Sequence, residues 1–163
     1  MVGELKKWQI DVGLGELRVS KEPAILVSRA LGSCVAVALY DKKRKIGGLA
    51  HIMLPKEISR SIHAPGKYAD QAIPSMLKKM KEAGCNGMIV AKIAGGSAMF
   101  ESKASSIGAI GRNNIEMVRR VLRQMGIPLV ASDVGGQTAR SVFFDTKTGC
   151  LVVRLASGKT KRL

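Results

Sequence analysis

The chain has 163 residues and a formal net charge of +15 at pH 7, and 46% of its residues are hydrophobic. Hydrophobic residues occur along the whole length, which predicts one globular domain covering residues 1–163. The charge indicates an acidic partner, whether nucleic acid, anionic lipid or protein. An aromatic share of 4% argues against a nucleic-acid platform of stacked rings. Because no apolar run reaches the roughly 20 residues that span a bilayer, membrane insertion is not expected.

The three cysteines, Cys34, Cys85 and Cys150, are widely spaced and form no CxxC pair. This pattern argues against a disulfide framework and against a zinc site of the usual spacing. The first residues also lack the apolar core of a secretory signal. We therefore expect a protein of the reducing cytoplasm, in which a thiol stays available.

The first part of the chain predicts short strands. Residues 8–12 and 16–20 are expected to pair as a hairpin across a glycine-containing turn, and residues 24–28 form a further strand. Residues 31–55 then predict a second hairpin, with apolar arms at 35–40 and 46–54 and a polar turn between them.

This second hairpin contains the residues best suited to chemistry, Cys34 and His51. If Lys42 and Lys43 are the central turn residues, Cys34 and His51 face each other across the ladder. A slip of one residue would place them on opposite faces, and a bulge at residues 47–48 could change the register either way.

After Pro55 the pattern alternates between polar loops and apolar elements. Residues 56–66 predict a mobile loop that could act as a lid or contact surface. Residues 68–82 predict an amphipathic helix ended by Gly84, and Asn113 or Asn114 is expected to cap a second helix. Further strands are predicted at 88–93, 129–131, 141–144 and 150–155, followed by a basic tail at 157–163. The whole pattern predicts an α+β fold, with helices outside a layered and largely antiparallel sheet system.

A Cys–His pair suggests nucleophilic catalysis, because a nearby imidazole can activate a thiol near neutral pH. The backbone N–H groups around Gly32 and Ser33 could bind an oxyanion, and Ser28 could orient the imidazole through its hydroxyl or carbonyl. The alternative is that Cys34 is a small core residue and His51 a hydrogen-bonded strand histidine.

Other polar or reactive residues have plainer interpretations. Cys85 and Cys150 are expected to be packing residues, His63 to be solvated, and the arginines at 119, 120 and 123 to form a solvated helix face. The glycine-rich residues 94–97 could contact a phosphate, but they lack both the GK[ST] ending of a P-loop and a GxGxxG fingerprint.

Several sequence blocks in one order resemble the CheD family of chemoreceptor glutamine deamidases. The blocks are LGSCVAV at 31–37, GGLAHIMLP at 47–55, GKYAD at 66–70, KIAGGSAMF at 92–100, IGRNN at 110–114 and DVGGQTARSVFFD at 133–145. This resemblance covers nearly the whole chain and favours a functional reading of Cys34 and His51.

The resemblance implies a layered α/β/β sandwich similar to the catalytic domain of cytotoxic necrotising factor toxins. It implies a Cys–His–Thr arrangement in which Cys34 matches the nucleophile and His51 the base, while Ser28 stands where a threonine is expected. The implied reaction is hydrolysis of selected glutamine side chains on methyl-accepting chemotaxis receptors, without a metal or an organic cofactor. Receptor methylesterase activity is also associated with such proteins.

The family further implies a partner, the CheC phosphatase, which such proteins bind and stimulate. A rival interpretation is therefore a binding regulator whose surface mainly docks CheC. A nucleic-acid binder is a third hypothesis, and it rests on charge alone.

Overall fold

The computed structural model describes residues 8–58, 62–99 and 107–163, with the backbone alone at residues 107 and 108. The strands are β1 (Trp8–Asp11), β2 (Leu17–Ser20), β3 (Ala24–Leu31), β4 (Val35–Asp41), β5 (Ile46–Ile52), β6 (Ile89–Gly95), β7 (Leu129–Val134), β8 (Arg140–Asp145), β9 (Leu151–Leu155) and β10 (Thr160–Arg162). The helices are α1 (Ala69–Glu82) and α2 (Ile107–Gln124).

The strands form two five-stranded sheets, in the orders β1-β3-β8-β9-β10 and β2-β5-β4-β6-β7. Two neighbouring pairs, β1 with β3 and β6 with β7, are parallel. The other pairs are antiparallel. The predicted α+β class with largely antiparallel strands is confirmed, while the likeness to the toxin domain stays a prediction.

The residues of β4 are buried on both faces of the strand, which explains why this strand reads as a continuous apolar run. Val35, Val37 and Leu39 pack in a core with residues of α1 and α2. Ala36 and Ala38 face the other way, into a second core that also includes residues of β3, β8 and β9. The molecule therefore has three layers: helices, the β4-containing sheet, and the β3-containing sheet.

Two predictions about the chain ends were wrong. The opening hairpin does not form, because β1 pairs with β3 while β2 pairs with β5 in the other sheet. The expected basic tail instead contains β10, which pairs with β9. Both segments are short, and their pairing depends on partners elsewhere in the sequence rather than on local pattern.

The two predicted helices are present, but the second begins earlier than expected. Because α2 spans Ile107–Gln124, Asn113 and Asn114 lie inside it and neither is its cap. The apolar spacing of the sequence places Ile115, Val118, Leu122 and Met125 on one stripe. The first three are buried on α2, whereas Met125 follows the end of the helix and is half-buried. In α1, Pro74 lies within the helix, beyond its first turn.

Part of the predicted 56–66 loop lies outside the described residues, which omit 59–61. In the described part, His63 is half-buried rather than solvated. Its ring packs edge-on against Tyr68 at a centroid distance of 4.7 Å, and its Nε2 lies 3.2 Å from Glu57. Among the described residues, neither helix combines the length and apolarity needed to cross a membrane.

Candidate functional site

The register between β4 and β5 differs from the predicted one. His51 pairs with Ala36, and Asp41 pairs with Ile46, so residues 42–45 form the turn. The Asp41 carboxylate accepts hydrogen bonds from the backbone N–H groups of Lys43 and Arg44, at 3.0 and 3.1 Å, and this closes the longer turn. The expectation that Cys34 faces His51 directly was therefore wrong.

The displacement is two residues, so the side-chain alternation is retained. Cys34 precedes β4 by one residue, is half-buried and packs against the core between the two sheets. His51 is 2% exposed and lies opposite Ala36, whose side chain is in the same core. Both residues thus lie on the inter-sheet side of this sheet, in diagonal positions.

The turn that contains Cys34 is fixed by hydrogen bonds from the glycine-rich segment after β6 to its carbonyl groups. The Gly32 carbonyl accepts a hydrogen bond from the Ser97 N–H, and the Cys34 carbonyl accepts one from the Gly96 N–H, each at 2.8 Å. A Cβ at Gly95 would lie 2.3 Å from the Cys34 oxygen, and Gly95 has a φ of +113°. Only glycine permits this approach. The glycine-rich segment therefore braces the cysteine turn, which explains these glycines without a phosphate ligand.

Asn114 connects the cysteine turn to the end of the histidine strand. Its fully buried side-chain amide donates to the Ser33 carbonyl at 2.9 Å and to the Met53 carbonyl at 3.0 Å. Because the carbonyl and N–H of a trans peptide point in opposite directions, the bond to Ser33 directs the Cys34 N–H away from α2. Asn114 thus sets the orientation of one backbone N–H group next to the thiol.

A second buried polar group supports the glycine-rich segment. Arg140 donates to the Ser97 hydroxyl at 3.2 Å and also binds Asp133 through its carboxylate and its backbone carbonyl. The Ser97 hydroxyl in turn donates to the Thr138 carbonyl at 2.7 Å. The loops after β6 and β7 are in this way tied to each other and, through Ser97, to the cysteine turn.

The His51 ring has one partner and one open nitrogen. Nδ1 lies 3.3 Å from the Val12 carbonyl oxygen, which can only accept a hydrogen bond, so Nδ1 carries the proton. Nε2 of the neutral ring is then an acceptor, and it is buried without a hydrogen-bond partner in the described structure. The imidazole is therefore oriented as a base.

Ser28 is fully buried on β3, and its hydroxyl donates to the same Val12 carbonyl at 2.9 Å. The hydroxyl and the imidazole, from two different sheets, thus share one acceptor. Ser28 is related to His51 through Val12 rather than through a direct bond between the two side chains.

Val12, Gly13, Leu14 and His51 are among the residues that line a cavity of about 280 Å³. Asp11 and Arg29 complete part of its wall and form an ion pair with a nitrogen–oxygen distance of 3.5 Å. The cavity borders His51, and Cys34 is not among the residues that line it.

Burial shifts both candidate groups toward their neutral forms. Burial raises the pKa of the Cys34 thiol. Burial also lowers the pKa of His51, although the hydrogen bond to Val12 and the negative charge of Glu16 partly oppose this. The free protein thus favours a neutral thiol and a neutral imidazole over an ion pair.

The remaining cysteines differ from Cys34 in their surroundings. Cys85 is buried, and its burial and the neighbouring Asp41 raise its pKa to about 11. Cys150 is half-buried, directly before β9. All three cysteines are free, and the described residues contain no group of three or more His, Cys, Asp and Glu side chains able to hold a metal ion.

Sequence reasoning missed Val12 and Asn114. Val12 acts through its backbone carbonyl, which no residue pattern reveals. Asn114 had a usable pattern, because it precedes Val118 by four residues and so continues the apolar stripe of α2. A polar residue on a buried stripe indicates a specific hydrogen-bonding role.

Fold and site together define a class: a layered α+β protein with a cysteine turn and an oriented, buried histidine on the same side of one sheet. The family described as CheD chemotactic sensory transduction matches residues 53–155. A Thermotoga maritima protein named chemoreceptor glutamine deamidase CheD is 45% identical over 148 residues, covering 90% of this chain and 92% of its own.

Two relatives named probable chemoreceptor glutamine deamidase CheD show similar agreement. The Clostridium novyi protein is 43% identical, covering 92% of this chain and 94% of its own, and the Methanococcus maripaludis protein is 40% identical, covering 91% and 96%. This chain belongs to the CheD family.

Proposed function

We propose that this protein is a cytoplasmic chemoreceptor glutamine deamidase that uses Cys34 as nucleophile and His51 as general base. The observation that carries the proposal is the His51 ring, oriented by Val12 with Nε2 unpartnered in the described structure, on the same side of the sheet as Cys34. The names of the relatives supply the substrate, a glutamine side chain of a chemoreceptor.

The reaction begins with transfer of the thiol proton to His51 Nε2 as the Cys34 sulfur attacks the amide carbon of glutamine. The Cys34 N–H, directed by Asn114, and the N–H groups around Gly32 and Ser33 stabilise the resulting oxyanion. His51 then returns the proton to the departing nitrogen, and the carbon–nitrogen bond breaks to release ammonia and leave a thioester.

Hydrolysis of the thioester completes the cycle. The neutral His51 takes a proton from water, whose oxygen attacks the acyl carbon, and the Cys34 sulfur leaves and is reprotonated. The net change converts glutamine and water into glutamate and ammonia. Ser28 contributes indirectly, because its hydroxyl holds the Val12 carbonyl that orients the ring.

Mass spectrometry of a receptor cytoplasmic fragment tests this function. Incubation with the protein should raise the mass of specific glutamines by about one unit and release ammonia, because an amide nitrogen is replaced by oxygen. Cys34→Ala should abolish both changes, while Cys150→Ala, which removes another half-buried thiol, should retain them. A folded wild-type protein that leaves the fragment unchanged would refute the deamidase proposal.

A second proposed function is docking and stimulation of a CheC phosphatase. Ile58 and Ile62 support a protein-contact role, because both are strongly exposed and they flank residues 59–61 in the segment after β5. With Cys34→Ala, a pure adaptor should keep its effect on the phosphatase. Replacing Ile58 and Ile62 by serine should weaken that effect, and unchanged phosphatase stimulation would contradict docking through these residues.

A further inference from the structure

A groove lies along the exposed side of α2, and its lining includes Asn113, the residue before Asn114. Its volume is about 580 Å³, and it extends from α2 to Pro55 and Lys56, just beyond β5. Three arginines of α2, Arg119, Arg120 and Arg123, line it together with Lys56. We call these four residues and the space between them the arginine groove.

The charges of the arginine groove are not neutralised within the described structure. Its four basic side chains are exposed, and none of them forms an ion pair with a described residue. Glu116 is the one acidic residue among the described groove residues. The groove therefore has a positive potential that an acidic partner can complement.

One end of the groove, at Asn113 and Pro55, lies near the cysteine turn. Asn114, on the opposite side of α2, binds the carbonyls of Ser33 and Met53, and Pro55 follows Met53 by two residues. Along the helix, Arg123 is about 14 Å from Asn114. A protein bound in the groove would thus have its neighbouring residues close to the cysteine turn.

The spacing of the arginines suits a helical partner. Arg119 and Arg123 are four residues apart, about 6 Å along the axis. Carboxylates four residues apart on another helix have the same spacing and lie on one face. A concave groove also fits a helix better than a flat bilayer. A bilayer would contact basic residues that project from the protein surface in general, not those inside a groove.

We propose that the arginine groove docks an acidic helical segment of the protein substrate and so presents a neighbouring glutamine to Cys34. This inference rests on the proposed deamidase function for its substrate. It adds that selection among glutamines depends on acidic residues of the substrate at a distance from the reacting amide.

The test compares two double charge reversals on the full chain. Arg119→Glu with Arg123→Glu alters the groove, and Lys78→Glu with Lys81→Glu makes the same charge change on exposed residues of α1 that do not line it. For deamidation of a receptor cytoplasmic fragment, the groove variant should raise KM by about tenfold or more and leave kcat within about twofold. The α1 variant should change KM by less than about threefold.

Binding is measured separately so that docking and catalysis can be told apart. In a Cys34→Ala background, the groove variant should bind the receptor fragment more weakly than the protein with an intact groove. Raising NaCl from about 0.05 to about 0.3 M should also reduce the affinity of the groove variant less, because fewer of its charges remain to be screened. Wild-type binding without deamidation would refute the proposed function and leave the docking inference standing. Equal losses of affinity in both variants would overturn the inference.

Vesicles of phosphatidylglycerol and phosphatidylcholine test the other anionic surface. If the groove variant loses vesicle binding but keeps the affinity of the parent protein for the fragment, the groove is a lipid site and the proposal is wrong. Urea unfolding of each variant verifies that a loss of binding does not arise from misfolding.

Discussion

At the scale of single residues, the Val12 carbonyl determines the orientation of the His51 ring and which of its nitrogens carries the proton. It receives hydrogen bonds from Ser28 on one sheet and His51 on the other, which fixes the ring and leaves Nε2 as the acceptor. Burial keeps the ring neutral by lowering its pKa. A base that is already deprotonated can accept the thiol proton without prior formation of an ion pair.

The pH dependence of the reaction should reflect these neutral forms. Protonation of His51 removes the base, so kcat/KM should fall as pH decreases, with the midpoint below the ordinary histidine pKa of about 6.5 because the pKa is lowered. Alkylation of Cys34 by iodoacetamide in the free protein should increase with pH and reach half its maximum above about 8.5. Peptide mapping separates Cys34 from Cys85 and Cys150.

An ion pair would give a different result. Cys34 would then react with iodoacetamide at nearly its full rate at pH 6, and the rate would be flat through neutral pH. That outcome would contradict a neutral thiol in the free protein.

Asn114 should matter more for kcat than for KM. Asn114→Ala releases the Ser33 and Met53 carbonyls, so the Cys34 N–H loses its fixed direction. We expect kcat to fall about 100-fold, as for small displacements of catalytic groups, with a loss of about 1–3 kcal/mol of unfolding free energy from the unpaired buried groups. Gln124→Ala, at an exposed position of the same helix, is the control and should change neither quantity appreciably.

Steady-state kinetics on a receptor fragment and urea unfolding supply the two measurements. A loss of stability with unchanged kcat would mean that Asn114 only holds the fold together. Asn114→Asp is informative as well, because a carboxylate cannot donate to either carbonyl and so should not rescue kcat.

At the scale of elements, the sequence predicted strands and helices better than their pairing. Short apolar runs bounded by turn residues identified most strands, and the stripe of α2 was correct from Ile115 to Leu122. The start of α2 was wrong because asparagine favours caps in general, while Asn114 is here used inside the helix. The hairpin register was wrong because the Asp41 side chain closes a longer turn than the local sequence suggests.

The Asp41 turn provides a prediction about stability. Burial alone would raise the Asp41 pKa, but hydrogen bonds from the Arg44, Gly87 and Lys43 backbone and from the Cys85 thiol outweigh it, and the pKa is lowered. Asp41→Asn should therefore destabilise the fold at pH 7, by about 1–3 kcal/mol. The deficit should be constant down to about pH 5 and narrow below about pH 4, where the wild-type carboxylate becomes protonated on unfolding.

Urea midpoints measured from pH 7 to pH 3.5 test this dependence. Asp11→Asn, which changes a largely exposed carboxylate, is the control and should lower the urea midpoint much less at pH 7. An Asp41→Asn deficit that is unchanged at the lowest pH would show that the carboxylate charge is not its source.

At the scale of the whole molecule, the sequence predicted the layers but not the division of strands between sheets. β1 and β2 are adjacent in sequence, yet they join different sheets, and the Val12 carbonyl lies where the chain passes from one to the other. The site depends on this crossing, because Ser28 and His51 belong to different sheets and meet only at Val12. Long-range pairing of short strands has no local sequence pattern that would reveal it.

The net charge of +15 has a consequence for stability as well as for binding. The excess lysines and arginines repel one another most strongly in the compact folded state. Salt screens this repulsion and should therefore stabilise the fold. Raising NaCl from 0.02 to 0.3 M should increase the unfolding free energy by on the order of 1 kcal/mol. The urea midpoint should rise accordingly. The Lys78→Glu, Lys81→Glu variant has a lower net charge and should show a shallower salt dependence.

Sodium sulfate at equal ionic strength separates screening from anion binding. Equal stabilisation by the two salts identifies general screening, whereas a larger effect of sulfate that is lost in the Arg119→Glu, Arg123→Glu variant identifies anions held in the arginine groove. A midpoint that decreases with NaCl would mean that favourable ion pairs, such as those of Asp133 with Arg140 and Lys161, outweigh the repulsion among the excess basic residues. The comparison thus tests whether the same charge that favours an acidic partner reduces the stability of the free protein.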